Sequence, residues 1–460
     1  MYTIDFSVKS KVHFTGIGGI SMSGLAEILL SKGFTVTGSD SKKSEVTAIL
    51  EDLGATVYIG QRQANITDDI DFLVYTAAVK DDNPELVAAR EKNIPTLTRA
   101  ELLGQIMKHY KVAIGVAGTH GKTSTTSMLS NIFLYTEKDP TILVGGMLPS
   151  IGGNSLVGKS ENFITEACEY TNSFLSFAPT IAIILNVKED HLDFFKDIND
   201  IRNSFKKYAE LLPKDGTLVI NGDIDDVEFF TEGLNANVAT FGSDPEKCTY
   251  SFKDVSYDEF ARGSYTLLVN NKEAGKVTLK VTGEHNILNS LAAIAASVAS
   301  SISIEDAIAG LATYEGVDRR FQHKGKLGDI EVIDDYAHHP DEINATIAAA
   351  KNYPHKDLWV VFQPHTYTRT KSLMSEFASS LCKADKVVLA DIYAARETDN
   401  LGISSKTLAD EIKKYNPNVY YFPTFSEIEN FLLENLSSGD LLITMGAGDV
   451  VKIGENLLGK

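Results

Sequence analysis

Short apolar runs alternate along this chain with longer segments whose apolar residues recur at helical spacing. Residues 112–117, 181–185, 358–362 and 441–445 are runs of this kind. They predict strands that are buried on both faces of a parallel sheet, because such strands present no polar face to water. We therefore expect an α/β protein with mostly parallel sheets.

Strands and helices alternate regularly at both ends of the chain. Near the N-terminus, strands predicted at residues 12–15 and 36–39 flank a helix at 22–30, which makes a βαβ unit. Near the C-terminus, strands are predicted at residues 330–334, 358–362, 386–391, 419–422 and 441–445, and helices at about 341–351, 371–382, 404–415, 426–436 and 449–458. Each end of the chain is therefore expected to form its own open, Rossmann-like parallel sheet.

Charge and cysteine content exclude several classes of protein. The net charge of −19 argues against a broad nucleic-acid-binding or anionic-membrane surface. Three widely spaced cysteines predict neither a metal site nor a disulfide framework, and they fit a reducing cytoplasm. The first residues lack the apolar core of a signal peptide, and no apolar run is long enough to span a bilayer. We expect a cytoplasmic protein without membrane insertion; whether it is a monomer or a homodimer stays open.

The strand predicted at residues 112–117 leads into the loop GTHGKT and then into a helix. Glycines let backbone N–H groups approach oxyanions, and a helix N-terminus favours negative charge. Lys122 offers a cation to terminal phosphates, and the Thr123 hydroxyl suits Mg²⁺. The predicted phosphate-binding residues are Gly118, Thr119, His120, Gly121, Lys122, Thr123 and Ser124.

This loop departs from the general P-loop pattern at one position. Val116 stands where that pattern has its first glycine, and the early glycines are Gly115 and Gly118 instead. An ordinary glycine-rich turn between strand and helix is the alternative interpretation. The strand before the loop and the helix after it favour phosphate binding.

A different glycine turn, GIGG at residues 16–19, follows the first predicted strand. We predict that Gly16, Gly18 and Gly19 hold a diphosphate at the helix N-terminus, with Asp40 near the sugar or base. Ser21 replaces the last glycine of the dinucleotide fingerprint, and a dehydrogenase would leave the loop GTHGKT unexplained, so a dehydrogenase is not favoured. A tight turn that serves packing only is the alternative.

Carboxylates and a histidine follow two other predicted strands. Glu166 and Glu169 come after a strand at residues 163–165, and His191 follows the strand at 181–185. Because parallel strands end at one edge of a sheet, these groups are expected beside the phosphate loop. Oxygen ligands suit Mg²⁺, whereas imidazole is a softer ligand. A solvated strand end and a hydrogen-bonded loop histidine are the alternatives.

The loop GTHGKT, followed by Ser-Thr-Thr, resembles the ATP loop of the Mur ligases, ATP-dependent amide-forming enzymes that build the peptidoglycan stem peptide. Further strings resemble this family in order along the chain: HFTGIGGISMSGLAEIL at 13–29, EDHLD at 189–193, HNILN at 285–289, DDYAHHP at 334–340 and FQPHTYTR at 362–369. The resemblance implies three domains: a Rossmann-like UDP-sugar-binding domain at 1–108, a central P-loop ATPase-like domain with a mostly parallel sheet at 109–316, and a Rossmann-like domain at 317–460 that closes on ATP and the amino acid.

The resemblance also implies roles for single residues. Glu169, ahead of a Ser-Phe pair, and His191 would hold the metal together with Thr123, and Glu166 is the alternative carboxylate. The other implied ATP contacts are Asn286 and Asn289 toward the adenine, Arg320 toward phosphate, and Asp335 toward the ribose or the metal-linked network. For the two asparagines, capping of the helix that follows is the alternative. His338 could belong to a capped helix start or face the substrate, and the resemblance favours the substrate.

Two strings, GIGGISMSGLAE and FQPHTYTR, favour the branch of the family that adds L-alanine to UDP-N-acetylmuramate. This implies ATP and Mg²⁺ as cofactors and an acyl phosphate on the lactyl carboxylate as intermediate. Lys122, His191, His338 and Arg369 would be the catalytic residues, with His338 and Arg369 facing the amino acid and the muramoyl carboxylate. Thr366 stands where many relatives have arginine, which leaves more of the carboxylate contact to Arg369.

Two questions stay open at this point. The general base is either His191 or His338. A ligase that adds a preformed peptide to the same sugar nucleotide, and a non-catalytic nucleotide-binding protein, are the alternative functions. The presence of Lys122, Glu169 and His191 argues against the non-catalytic alternative.

Overall fold

Three β-sheets organise the protein, as seen in a computed structural model that describes residues 2–76, 79–192, 194–395 and 397–460. Each sheet lies inside one of the three predicted segments, and the expected α/β class with mostly parallel sheets is confirmed. Asp193, the last residue of the EDHLD string, lies outside the described residues.

The first sheet is entirely parallel, in the order β3-β2-β1-β4-β5. Its strands are β1 (Lys11–Thr15), β2 (Thr35–Asp40), β3 (Thr56–Ile59), β4 (Phe72–Tyr75) and β5 (Thr96–Thr98), and its helices are α1 (Ile20–Ser31), α2 (Glu45–Asp52), α3 (Pro84–Glu91) and α4 (Arg99–Met107). The strand order reverses between β1 and β4. Ligands bind at such a switch point in open α/β sheets, and the turn with Gly16 lies there.

The central sheet contains the phosphate loop. Its strands are β6 (Val112–Ala117), β7 (Thr141–Leu148), β8 (Gly153–Leu156), β9 (Asn162–Glu166), β10 (Ile181–Ile184), β11 (Thr217–Asn221), β12 (Asn237–Phe241), β13 (Tyr250–Tyr257), β14 (Arg262–Val269) and β15 (Lys272–Thr282). The helices of this segment are α5 (Lys122–Tyr135), α6 (Ile198–Ala209), α7 (Glu228–Thr231), α8 (His285–Ala299) and α9 (Ile304–Ala312). Parallel neighbours β9 and β10 flank β6, so all three strands end at the same edge.

The third sheet has the order β16-β17-β21-β18-β19-β20. Its strands are β16 (Gln322–Leu327), β17 (Ile330–Asp335), β18 (Leu358–Phe362), β19 (Lys386–Leu389), β20 (Val419–Tyr421) and β21 (Leu441–Met445). Its helices are α10 (Pro340–Lys351), α11 (Tyr367–Ser372), α12 (Met374–Leu381), α13 (Ser405–Ile412), α14 (Phe425–Asn435) and α15 (Val451–Leu457). Strands β18 and β21 are buried along their whole length, as their apolar sequences predict.

Two predictions for this segment need correction. The sheet is not wholly parallel, because β16 pairs antiparallel with β17 at one edge. The single helix predicted at residues 371–382 is two helices, α11 and α12, which meet at Leu373. Leu373 has φ −113° and ψ 27°, which takes the backbone out of helical geometry at the junction.

The chain divides into two compact units. The first contains Met1–Ser251, Leu268–Gly275 and Ser290–Leu311, and the second contains Phe252–Leu267, Lys276–Asn289 and Ala312–Lys460. In the first unit α1 packs against β7, and a Cβ on Gly24 would lie 2.5 Å from Leu143 Cδ2, so glycine permits this close approach. Among the described residues, every helix is too short or too polar to cross a bilayer.

Candidate functional site

The loop between β6 and α5 has the backbone geometry of a phosphate cradle. Gly118 and Gly121 have φ values of +149° and +85°, which favour glycine. A Cβ on Gly118 would lie only 2.8 Å from Leu185 Cβ, so the loop also approaches the strand-end segment closely. Gly121 is the N-cap of α5 and has no side chain that could accept hydrogen bonds from the first turn of the helix. The backbone N–H groups of that turn can therefore bind an anion.

Lys122 is held at this loop by four oxygen acceptors. Its Nζ donates to the Gly118 carbonyl, to the Thr119 carbonyl at 3.1 Å, and to both carboxylate oxygens of Glu169 at 3.0 and 3.2 Å. Burial alone would lower the pKa of Lys122, but the Glu169 carboxylate raises it above the usual value. The lysine is therefore a fixed positive charge at neutral pH.

The segment after β10 fixes the conformation of the loop. Asn186 accepts the His120 backbone N–H at 2.9 Å and donates to the His120 carbonyl at 3.0 Å. Thr119 Oγ1 accepts the Lys188 backbone N–H at 2.9 Å. These hydrogen bonds hold Thr119 and His120 in place and so fix the shape of the cradle. Asn186, which makes two of them, is a residue that sequence reasoning did not single out.

The two glutamates at and just after the end of β9 have different partners. Glu169 is buried and pairs with Lys122, whereas half-buried Glu166 accepts the Gly145 backbone N–H at 2.6 Å. His191 has φ +53° and packs against Tyr170, with ring centroids 4.5 Å apart. Thr123 is half-buried in the first turn of α5. Carboxylate and hydroxyl oxygens are a donor set that fits Mg²⁺.

The glycine turn after β1 binds the end of β2. Gly16 has φ +85°, and the N–H groups of Gly16 and Ile17 both donate to the Ser39 carbonyl at 2.9 Å. The Gly18 N–H donates to Asp40 Oδ2 at 2.9 Å, and Gly19 is the N-cap of α1. A carboxylate oxygen thus occupies the position on Gly18 that the sequence predicts for a diphosphate oxygen. Asp40 therefore lies beside Gly18, and the contact of Asp40 and the glycines with a sugar nucleotide stays a prediction.

A buried polar network lies beneath this turn. Glu85 accepts hydrogen bonds from Thr15 Oγ1 and Ser39 Oγ, each at 2.7 Å, and from Asn65 Nδ2 at 2.7 Å. His13 Nε2 lies 3.4 Å from the same carboxylate, which agrees with a structural histidine. Glu85 joins the ends of β1 and β2 to α3, and sequence reasoning did not find it because its partners are distant in the chain.

In the second unit, Asp335 closes the end of β17. Its carboxylate accepts the backbone N–H groups of Phe321 at 2.9 Å and Ala337 at 2.8 Å. Burial raises the pKa of Asp335 to about 6, and Arg320 opposes the rise. Arg320 also lies 3.9 Å from Glu342. The structure thus brings Arg320 and Asp335 into one charged cluster.

His338, His365 and Arg369 form a neighbouring cluster. His338 Nδ1 lies 2.9 Å from the Tyr336 carbonyl, which can only accept, so Nδ1 carries the proton and Nε2 is the basic nitrogen. His365 Nδ1 lies 3.3 Å from Arg369 Nη1, and an arginine can only donate. Burial, with His338 and Arg369 nearby, lowers the pKa of His365 to about 4. His365 is therefore a neutral acceptor that orients Arg369.

The asparagines predicted to face adenine lie at the start of α8. Asn286 Nδ2 donates to the Thr282 carbonyl at 2.8 Å, and Asn289 Nδ2 donates to Asn286 Oδ1 at 3.0 Å. Both side chains are buried. These contacts position the two amides relative to each other, and their contact with adenine stays a prediction.

Comparisons with known proteins agree with this arrangement. Three sequence models of the Mur ligase family match the chain: the Mur ligase family catalytic domain at residues 11–111, the middle domain at 116–297 and the glutamate ligase domain at 319–448. The UDP-N-acetylmuramate–L-alanine ligase of Lachnospira eligens is 60% identical over 458 residues and that of Lachnoclostridium phytofermentans is 55% identical over 469, each covering 100% of both chains.

A solved structure is also similar over nearly the whole chain. The UDP-N-acetylmuramate–alanine ligase of Thermotoga maritima superposes with a TM-score of 0.82 at 31% identity, covering 98% of each chain. Fold, sequence models and full-length relatives lead to one conclusion. This chain belongs to the Mur ligase family.

Proposed function

We propose that this chain joins L-alanine to the lactyl carboxylate of UDP-N-acetylmuramate at the expense of ATP. The observation that carries the proposal is the contact of Lys122 with Glu169 beside a glycine cradle at the end of β6. That arrangement offers a triphosphate a fixed cation, backbone donors and carboxylate oxygens for a metal. The activity named for relatives at 55–60% identity supports the choice of substrates.

The proposed reaction has two steps. A lactyl carboxylate oxygen attacks the γ-phosphorus of ATP, ADP leaves, and an acyl phosphate forms. The amine of L-alanine then attacks the acyl carbon, its C–O bond to phosphate breaks, and the amine loses a proton. Two anions meet in the first step, so the positive charge of Lys122 lowers the barrier by neutralising phosphate oxygens.

Mg²⁺ fits the residues beside the loop. Thr123 and Glu169 supply oxygen ligands, with His191 as a further ligand and Glu166 as the alternative carboxylate. When bound, Mg²⁺ supplies positive charge to the phosphate oxygens. Glu169 would then contact the metal in place of part of its contact with Lys122, and the Lys122 ammonium would contact the γ-phosphate instead.

We assign amino-acid binding to the second unit. Arg369 suits a carboxylate because its planar guanidinium can donate two parallel hydrogen bonds. His365 holds Arg369 in place, and since Thr366 carries no positive charge, Arg369 would provide the carboxylate contact. Burial lowers the pKa of His338, so its Nε2 is unprotonated at neutral pH and suited to accept the proton of the amine.

The segment boundaries at 1–108, 109–316 and 317–460 are retained as proposed domains for the sugar nucleotide, for ATP, and for closure with the amino acid. We also propose a cytoplasmic location, where ATP is available. The described cysteines, Cys168, Cys248 and Cys382, are free thiols, which fits a reducing compartment.

Isotope transfer tests the chemistry directly. UDP-N-acetylmuramate labelled with ¹⁸O in both lactyl carboxylate oxygens should give inorganic phosphate with one labelled oxygen, while the other stays in the new amide. Label in AMP, with release of pyrophosphate, would mean attack on the α-phosphorus and would contradict the proposal. Label that stays wholly in the starting acid would contradict ligation itself.

A further inference from the structure

A pocket of about 420 Å³ lies in the first compact unit, between the two predicted nucleotide sites. On one side it is lined by Gly19 and Ser21, at the start of α1. On the other side it is lined by Glu166, the last residue of β9, and by Cys168, which follows that strand. A molecule bound by the glycine turn can therefore extend through this pocket to the edge of the central sheet at which β6, β9 and β10 end.

One cation, Arg99, lines the pocket from the first turn of α4. In the part of the chain that the structure describes, no hydrogen bond or ion pair holds its guanidinium. Burial lowers the pKa of Arg99, whereas the nearby Cys168 and Glu166 act to raise it. An arginine stays charged in proteins, and a desolvated charge without a partner is unfavourable, so this site favours an incoming anion.

Neither Glu166 nor bound ATP is the expected partner of the Arg99 guanidinium. Glu166 already accepts the Gly145 backbone N–H at 2.6 Å and makes no hydrogen bond with Arg99 in the described structure. The pocket lining includes none of the phosphate-loop residues 118–123. It does include the glycine turn through Gly19, so the expected ligand is the sugar nucleotide.

We propose that Arg99 binds an anionic group of the UDP-N-acetylmuramate substrate in this pocket. The proposal rests on the function proposed above and adds a positioning residue to it. Phosphate and carboxylate share the chemistry that a guanidinium recognises, two oxygens that accept parallel hydrogen bonds. The diphosphate and the lactyl carboxylate are therefore the two possible sources, and ligands that carry one or both can distinguish them.

The test uses Arg99→Met, which keeps the apolar stem but removes the charge, and Arg99→Lys, which keeps the charge but loses the paired donors. Arg90→Ala is the matched control, because Arg90 is exposed on α3 and pairs with Asp81 at 2.7 Å. Isothermal titration of each full-length variant measures the Kd for UDP, UDP-N-acetylglucosamine and UDP-N-acetylmuramate. ATP titration and thermal melting show whether each variant is folded.

We expect Arg99→Met to weaken UDP-N-acetylmuramate binding about tenfold or more, the usual cost of losing a charged hydrogen bond. Arg99→Lys should lie between wild type and Arg99→Met, and Arg90→Ala should match wild type. An equal loss for all three ligands assigns the diphosphate. A loss confined to UDP-N-acetylmuramate assigns the carboxylate.

Two results would overturn the proposal in different ways. If wild type binds UDP-N-acetylmuramate and a folded Arg99→Met binds it equally well, Arg99 does not contact the anion and the proposed function stands. If wild type binds none of the three ligands while binding ATP, both the Arg99 proposal and the proposed function fail.

Discussion

The Nζ of Lys122 lies 3.0 and 3.2 Å from the two carboxylate oxygens of Glu169. This contact joins the start of α5 to the segment after β9, and the Glu169 side chain is only 3% exposed. Lys122, proposed to bind the phosphates, and Glu169, proposed to bind the metal, therefore neutralise each other's charge before nucleotide binds. Each can be exchanged for its proposed ligand without leaving a buried charge unpaired.

Lys122→Ala should reduce phosphate release by about 10²- to 10³-fold or more, because it removes charge stabilisation from the transition state. It should also destabilise the fold by up to about 3 kcal/mol, because Glu169 keeps a buried charge without its partner. Denaturant unfolding and a turnover assay measure the two effects separately.

The double variant Lys122→Ala/Glu169→Gln separates stability from catalysis. The neutral glutamine should recover much of the stability, since no charge is left unpaired, but turnover should stay low. Recovery of turnover in the double variant would show that Lys122 serves only to neutralise Glu169.

The metal site predicts a shift in Mg²⁺ dependence. Thr123→Ala, Glu169→Gln and His191→Ala should each raise the Mg²⁺ concentration for half-maximal rate by about tenfold or more, as losing a ligand or its support usually does. Glu166→Gln is the contrast, because Glu166 is bound to the Gly145 backbone. A shift for Glu166→Gln but not for Glu169→Gln would assign the metal to the other carboxylate.

Gly18→Val should weaken UDP-N-acetylmuramate binding and leave ATP binding intact. A Cβ at this position would lie 2.8 Å from Asp40 Oδ2 and 3.1 Å from Thr47 Cγ2, so the Asp40 side chain or the turn must shift. Gly153→Val is the control, because the nearest atom to its Cβ would be 3.9 Å away. Titration with each ligand decides; loss of ATP binding with intact sugar-nucleotide binding would reverse the assignment of the two sites.

The buried Glu85 makes stability depend on pH. Burial alone would raise the pKa of Glu85, but His13 and the hydrogen bonds from Asn65 and Ser39 lower it below the usual value. A lowered pKa in the folded state gives stability that is present above the unfolded pKa, about 4.3, and is lost as the pH falls through the folded value.

Glu85→Gln should therefore destabilise the protein most at neutral pH, by about 1–3 kcal/mol, and the difference from wild type should shrink below about pH 4. Glu91→Gln is the control, since Glu91 is exposed at the end of the same helix. Urea unfolding at several pH values measures the difference. A difference that is constant from neutral to acidic pH would show that the Glu85 charge does not contribute.

The apolar runs predict the strands at the centre of each sheet, because burial on both faces leaves a signal that needs no tertiary information. Strands β13 and β15 escape such a prediction because most of their residues are exposed or half-buried and polar. Edge strand β16 escapes it for the same reason, and the break at Leu373 lacks the Gly or Pro that usually marks one.

The glycine loops and their charged neighbours are predictable because each is contiguous in sequence. The contact of Lys122 with Glu169 joins residues 47 positions apart, and only the sheet register brings them together. Glu85 has hydrogen-bond partners from several elements, and Arg99 lines a pocket that several elements form, so neither residue is marked by a local motif. A residue of that kind becomes visible only when its surroundings are known.

Phosphate release from purified protein with ATP, UDP-N-acetylmuramate and L-alanine, omitting each in turn, tests the proposed ligation most sharply. Parallel reactions replace L-alanine with glycine, L-serine or a preformed peptide that begins with L-alanine. We predict sustained release only when all three substrates are present, with a product heavier than the sugar nucleotide by one alanine residue. Release that requires the peptide and ignores L-alanine, or that proceeds without UDP-N-acetylmuramate, would show that the proposed reaction is wrong.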